Sequence, residues 1–224
     1  MHETEIIKHF EKAAVFSLAD VNQVINNRDY AKKFLKKIVK SGKIFKIKRN
    51  SYSFYKDSFL TSTFLVKPSY ISSVSALSHY GLITQIPNEV FSATLKKSSR
   101  IKSEIPINYF HTDYFFGFRK EKYENFEILI AEPEKAIIDS LSIVPVSVIE
   151  EAFENINKEK MIELLIKIKK SSIVKRIGYL MEKNKYKVYA KLKDFINYKY
   201  IPLDPLLGIS GKKDEKWGLI INSK

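Results

Sequence analysis

Between Arg28 and Ser41 the chain sets apolar and cationic side chains apart at helical spacing. Ala31, Phe34, Leu35, Ile38 and Val39 fall at i, i+3, i+4, i+7 and i+8, which makes one narrow apolar stripe. Lys32, Lys33, Lys36, Lys37 and Lys40 lie off that stripe. The pattern predicts a helix whose stripe other elements must cover while its lysines stay in water. Gly42 stands where a left-handed residue commonly ends a helix. "KIFKIKR" and "SYSFYK" then alternate apolar and polar residues at period two, with Arg49, Asn50 and Ser51 as the turn of a hairpin. Upstream, residues 3–14 predict a helix with Ile6, Ile7, Phe10 and Ala13 or Ala14 on one side. Ser17 followed by Asp20 is close to a capping box, opening a second helix from Leu18 to about Ile25. Asn26 and Asn27 make the break before the basic helix. Helix, helix, basic helix and β-hairpin is the layout of a winged helix-turn-helix.

Charge supports a polyanionic partner. Residues 28–49 hold ten Lys or Arg against the single acid Asp29, whereas the 224-residue chain as a whole carries +14. Solvated helices normally mix signs at i,i+4, and the lysine face from Lys32 to Lys40 contains no acid. Charge concentrated in this way is the footprint of a nucleic-acid contact first and an anionic membrane second. The membrane reading is weaker, because the apolar stripe is needed for the domain's own core. Arg28, Tyr30, Lys32 and Lys33 are the expected base or near-base contacts. Lys36, Lys37 and Lys40 would reach phosphates farther along, with Lys46, Lys48, Arg49, Asn50 and Ser51 serving from the hairpin. The plain alternative is a basic helix that is only a solvated outer face.

The rest of the chain predicts a larger mixed domain. Thr61–Pro68 reads as a connector. "SYISSVSALSHYGLI" predicts a short helix ending at Gly81, and "EVFSATL", "IPINYFH" and "FEILIA" predict strands. "EPEKAIIDSLSI" predicts a helix with Pro133 in its first turn. Ser147 to about Lys183 is helical in pieces broken near Asn157 and Ser171, and a loop-rich end closes on Trp217–Ile221. The expected fold is α+β: a winged helix over residues 1–60, then a domain over 61–224 in which a small sheet is covered by helices.

Composition narrows the chemistry. With 45% hydrophobic residues, wholesale disorder is not expected. No apolar run approaches the ~20 residues of a membrane span, and "MHETEIIKHFEK" lacks the apolar centre of a secretory signal. The absence of cysteine rules out disulfides and thiolate chemistry and fits a cytoplasmic protein. His2, His9, His79 and His111 are scattered without metal-ligand spacing, and the seven glycines form no phosphate-cradling loop. Ser78 and His79 are neighbours that point apart on a helix. Glu132, Glu134 and Asp139 sit at a helix start, where acids serve the dipole. Glu150, Glu151 and Glu154 read as a solvated face. No catalytic residue, metal or cofactor is expected. The alternative retained is a nuclease or nucleotidyltransferase using the second domain.

Several segments together carry a family resemblance. "LKKIVKSGKIFKIKRNSYSF", "YISSVSALSHYGLI", "AEPEKAIIDSL", "VKRIGYLME" and "PLDP … KWGLIIN" follow in order along nearly the whole chain. In these motifs the chain resembles the AbiEi-type antitoxin family of toxin–antitoxin and phage-defence operons. The resemblance implies an N-terminal domain that binds operator DNA and represses its own operon. It also implies a C-terminal domain that opposes a nucleotidyltransferase-like toxin, with direct contact between the two left open. A monomer or weak dimer is expected, and cooperativity on DNA is left open. The matched winged-helix positions are Lys36, Lys43, Lys46, Lys48, Arg49 and Tyr52, the last as a packing residue. Two further basic runs, Lys96, Lys97, Arg100 and Lys102, and Lys167, Lys169, Lys170, Lys175 and Arg176, are candidates for antitoxicity or extra DNA contact, or simply solvated segments. Glu132, Pro133, Lys135 and Asp139 match as a structural helix start and its continuation.

Overall fold

A computed structural model describes residues 3–223; His2 lies outside the described residues. The protein is mixed α and β with small sheets. It divides into two compact units whose segments interleave along the chain. The first takes the chain up to Ile71, Asn88–His111 and Lys120–Leu129; the second takes Ser72–Pro87, Thr112–Arg119 and the chain from Ile130. The first unit therefore extends past residue 60, where the sequence pattern places a domain end.

The first unit opens with α1 (Glu3–Phe10), β1 (Phe16–Ser17), α2 (Leu18–Ile25), α3 (Arg28–Lys40), β2 (Phe45–Lys48) and β3 (Ser51–Ser53). The expected helix over 3–14 stops at Phe10, and the following residues turn so that Phe16 reaches β1. Ser17 and Asp20 form the full capping box of α2, with Ser17 Oγ accepting from the Asp20 N–H at 3.2 Å and Asp20 accepting from the Ser17 N–H at 2.6 Å. Strand order is β1-β3-β2, antiparallel throughout, with an irregularity between Lys46 and Lys48. One core holds these elements together: Ile6, Phe10, Phe16, Val21, Phe34, Leu35, Ile38 and Ile44 are buried in it, with Tyr52 and Phe54 packed against it.

The expected connector is instead part of a helix, α4 (Ser58–Leu65), followed by β4 (Ser69–Ile71). "SFLTSTFL" has no amphipathic stripe because most of it is buried, so periodicity gives no signal. Its hydroxyls are satisfied locally: Thr61 Oγ1 donates to the Asp57 carbonyl at 3.0 Å and Ser62 Oγ to that of Phe59 at 2.9 Å. The strands β5 (Val90–Thr94), β6 (Ser99–Ile101), β7 (Ile107–His111), β8 (Phe118–Tyr123) and β9 (Phe126–Ala131) join β4 in a six-stranded sheet of order β6-β7-β5-β4-β9-β8. β5 and β7 run parallel, whereas β4–β5 and β6–β7 are antiparallel. Of the three strands of this sheet that the sequence pattern does not predict, β4 lies in the stretch read as a helix, and β6 and β8 are the edges. Their sequences, "SRI" and "FRKEKY", are short or heavily charged, as suits strands that must not pair with another chain.

The second unit is mainly helical: α5 (Ser73–His79), α6 (Pro133–Ser140), α7 (Val146–Ile149), a 3-10 segment Glu150–Asn155, α8 (Lys158–Ile168), α9 (Ser171–Lys183) and α10 (Tyr189–Leu192). The breaks at Asn157 and Ser171 fall where the sequence places them, and Asn157 caps α8 by accepting from the Lys160 N–H at 3.0 Å. A small sheet of β10 (Ile201–Pro202), β12 (Leu219–Ile221) and β11 (Lys212–Asp214) closes the unit. Trp217 is buried against Gly178: a Cβ there would stand 2.2 Å from the indole ring, so α9 needs glycine at this position.

Candidate nucleic-acid interface

The basic helix is held from both ends. Asn27 caps α3 by accepting from the Tyr30 N–H at 3.0 Å, and Gly42 follows the helix at φ +72. Ala31, Phe34, Leu35 and Ile38 are buried, so the predicted stripe faces the core. Arg28, Tyr30, Lys32, Lys33, Lys36, Lys37 and Lys40 are all exposed. Two of these lysines have acid partners. Lys37 Nζ lies 2.8 Å from Glu3 on α1, which raises the lysine's pKa through the hydrogen bond and the charge, and Lys32 Nζ lies 3.3 Å from Asp29. Arg28, Lys33, Lys36, Lys40, Lys43, Lys46 and Arg49 have no carboxylate within ion-pair distance among the described residues.

The hairpin is firmly placed. The Asn50 carbonyl, in a residue at φ +60, accepts from the Leu18 N–H at 3.2 Å, which ties the turn to the start of α2. Lys46, Arg49 and Asn50 are exposed. Lys48 is not an outward cation: it is half-buried, and its Nζ donates to the Leu65 carbonyl at the end of α4 at 2.9 Å. Ser51 is half-buried in β3 opposite Ser17. Tyr52 packs as expected, stacked on Phe16 at 6.1 Å, and burial raises its pKa.

The other basic runs divide. Lys96, Lys97 and Lys102 are exposed, and Arg100 is exposed but ion-paired with Glu89. Lys167, Lys169 and Lys170 are exposed, with Lys167 Nζ 4.1 Å from the centre of the Phe116 ring. Lys175 is no surface cation. It is fully buried, its Nζ donating to Asn197 Oδ1 at 2.9 Å and to the Lys199 carbonyl, and burial lowers its pKa. Arg176 is half-buried with Nε donating to the Pro202 carbonyl at 3.0 Å, and burial lowers its pKa against the pull of Asp204. A signal for Lys175 exists in the sequence: Gly178 stands three residues on, on the same buried face of α9.

The acids near α6 serve as ties. Glu134 is buried and accepts from the Asn157 N–H at 2.7 Å, and Glu132 pairs with Lys160 at 2.5 Å. Lys135 and Asp139 form a buried ion pair, and Ser72 Oγ donates to Asp139 at 2.7 Å. Burial lowers the Lys135 pKa, opposed by Asp139. Glu150 and Glu151 do more than face solvent: Lys183 pairs with Glu150 at 2.8 Å, and Glu151 accepts from the Thr84 N–H at 2.6 Å. Glu154 is exposed. Among the histidines, His9 packs edge-on to Phe10, His79 stands beside Tyr80, and His111 Nδ1 lies 3.3 Å from the Lys96 carbonyl. Among the described residues, no group of three or more His, Cys, Asp or Glu is placed to hold a metal ion, and no helix is long and apolar enough to cross a membrane.

A mixed α and β architecture with small sheets is thus what carries this basic surface. The chain is similar in fold to a solved structure, the RV2827C protein from Mycobacterium tuberculosis, with a TM-score of 0.65 over 97% of this chain and 90% of that one. Only 10% of residues are identical, so the likeness is one of fold. No protein-family model and no curated protein matches the chain.

Proposed function

We propose that α1–α3 and the β1–β3 sheet form a winged helix-turn-helix that binds double-stranded operator DNA, and that the protein is the autorepressing antitoxin of a toxin–antitoxin pair. The observation that carries the DNA-binding half is the exposed face of α3, whose cations stand in water while its apolar stripe is buried. A helix of 13 residues is about 20 Å long and fits a major groove about 12 Å wide. Arg28, Tyr30, Lys32 and Lys33 lie in its first half, where base edges are met. Lys36, Lys37 and Lys40 lie farther along, at phosphates, with Lys46, Arg49 and Asn50 on the wing. The Lys37–Glu3 pair is exposed, and a phosphate can take the place of the carboxylate. Lys48 belongs to the wing's anchorage instead of its contact surface.

The antitoxin half rests on the motif resemblance along the chain. Fluorescence anisotropy with the protein's own upstream DNA tests the first half. Lys32→Ala, Lys33→Ala and Lys36→Ala together should abolish binding, and unchanged affinity would end the reading. Co-expression with an adjacent nucleotidyltransferase-like reading frame tests the second half: growth arrest that the protein does not relieve refutes it and leaves the DNA-binding half standing.

A further inference from the structure

The second unit presents another surface that none of this uses. Tyr198 is 91% exposed, yet the backbone on both sides of it is pinned. The buried Lys175 ammonium holds Asn197 Oδ1 and the Lys199 carbonyl; Asn197 Oδ1 also accepts from the Lys199 N–H at 3.2 Å, and the Asn197 N–H donates to Ser171 Oγ at 2.9 Å. A large ring with both faces in water is therefore displayed on an anchored segment, not on a loose end. It lines a groove of about 510 Å³ with Tyr189, Tyr200 and Lys216. Lys213 Nζ lies 5.2 Å from the centre of the Tyr200 ring, and Lys216 Nζ 4.9 Å from that of Tyr189. Residues 183–216 hold nine lysines against four acids, of which Asp204 is buried and Glu215 is the acid that lines the groove.

We propose that this groove binds single-stranded nucleic acid, with Tyr198 stacking on a base while Lys199 and Lys213 neutralise the flanking phosphates. Rigid aromatic platforms beside cations are what unpaired strands require, because every base has a π-face and every linkage a charge. A duplex keeps its bases stacked and offers Tyr198 nothing equivalent. The buried Lys175 is a positioning residue here: it orders the segment that presents the ring. The site is independent of the α3 reading and stands or falls separately.

The test uses the full chain with short fluorescein-labelled oligothymidylate and oligouridylate, followed by anisotropy at low and high salt. Binding should be salt-sensitive, and Tyr198→Ala should weaken it by about tenfold or more. Tyr198→Phe keeps the ring and should keep the affinity, and Tyr198→Ala should leave operator-duplex binding unchanged. Failure of both strands to bind the unaltered protein overturns the proposal, as does equal affinity of the Tyr198→Ala protein. So does loss of strand binding in a Lys33→Ala, Lys36→Ala, Lys40→Ala protein, since that would put the strand on α3.

Discussion

Lys135 and Asp139 show how much one residue pair can hold. Their side chains are 0% and 5% exposed, and Ser72 adds a hydrogen bond to the carboxylate. Asp139→Ala strands the ammonium in a site without its carboxylate and should cost about 3–5 kcal/mol in urea unfolding. Replacing both partners, Lys135→Met with Asp139→Leu, should recover most of that, because neither change then leaves a buried charge. The pH dependence has a definite sign. Burial sets the folded pKa of Lys135 below its ordinary 10.5, so between the two values the unfolded chain binds more protons and this lysine's contribution to stability rises with pH. Without Asp139 to oppose burial, the folded value drops further, and the deficit of Asp139→Ala should shrink on going from neutral to alkaline buffer. A deficit constant across that range would show that the lysine stays charged. Glu182 behaves oppositely. Burial works against its ionisation, but Lys216 and the Trp217 indole together hold its pKa below 4.5. Its contribution is present above that value and lost as pH falls through the lowered one, so Glu182→Gln should differ from the unaltered protein at neutral pH and converge with it in acid.

At the scale of the element, α3 is where sequence spacing and charge act together. Its apolar stripe is short, and the core it enters is made by α1, α2 and the small sheet. The outer face is left to repel itself unless a polyanion relieves it. Seven cations on α3 and the hairpin have no carboxylate partner among the described residues. If all seven meet phosphates, the logarithm of the binding constant should fall against the logarithm of salt with a slope of about −6. Lys40→Ala and Lys46→Ala together should reduce that slope by about 2 without changing which duplex is preferred. A slope near zero would place the cations outside the interface. The hairpin is a second element-scale case: Lys48, which looks like a contact by sequence, fastens β2 to the end of α4.

On the scale of the whole molecule, the first unit does not close at residue 60. A second cluster of Leu65, Val90, Ile107 and Tyr109 packs against Val15 and Ile47, so α4 and the six-stranded sheet share a core with the hairpin. A chain cut after residue 60 keeps the core of α1–α3 but uncovers Val15 and Ile47 and loses the acceptor of Lys48. Hydrogen exchange should then quicken in Phe45–Ser53 while α3 stays protected relative to it. Equal protection of the hairpin in the cut and full chains would mean that the sheet contributes nothing to the hairpin's stability.

The elements that could be read from the residues alone are those whose signals are local. The period of Ala31 to Val39, the Ser17–Asp20 cap, Pro133 at a helix start and the breaks at Asn157 and Ser171 need only neighbours a few positions away. α4 was hidden because a helix buried on most sides has no stripe, and β6 and β8 because edge strands carry charge where a pattern of apolar residues is sought. The fates of single cations were hidden for a different reason. Lys48, Lys135, Lys175 and Lys199 are the same amino acid, and nothing within a few residues says which will face water. For Lys48 and Lys175 it is settled by acceptors brought in from elsewhere, the Leu65 carbonyl for the first and Asn197 with the Lys199 carbonyl for the second; Lys135 has its partner Asp139 four residues on in the same helix, and there it is the burial of the pair that decides. Spacing along the chain selects helix, strand and turn; the desolvation of a charge depends on what surrounds it, and only the assembled core supplies that.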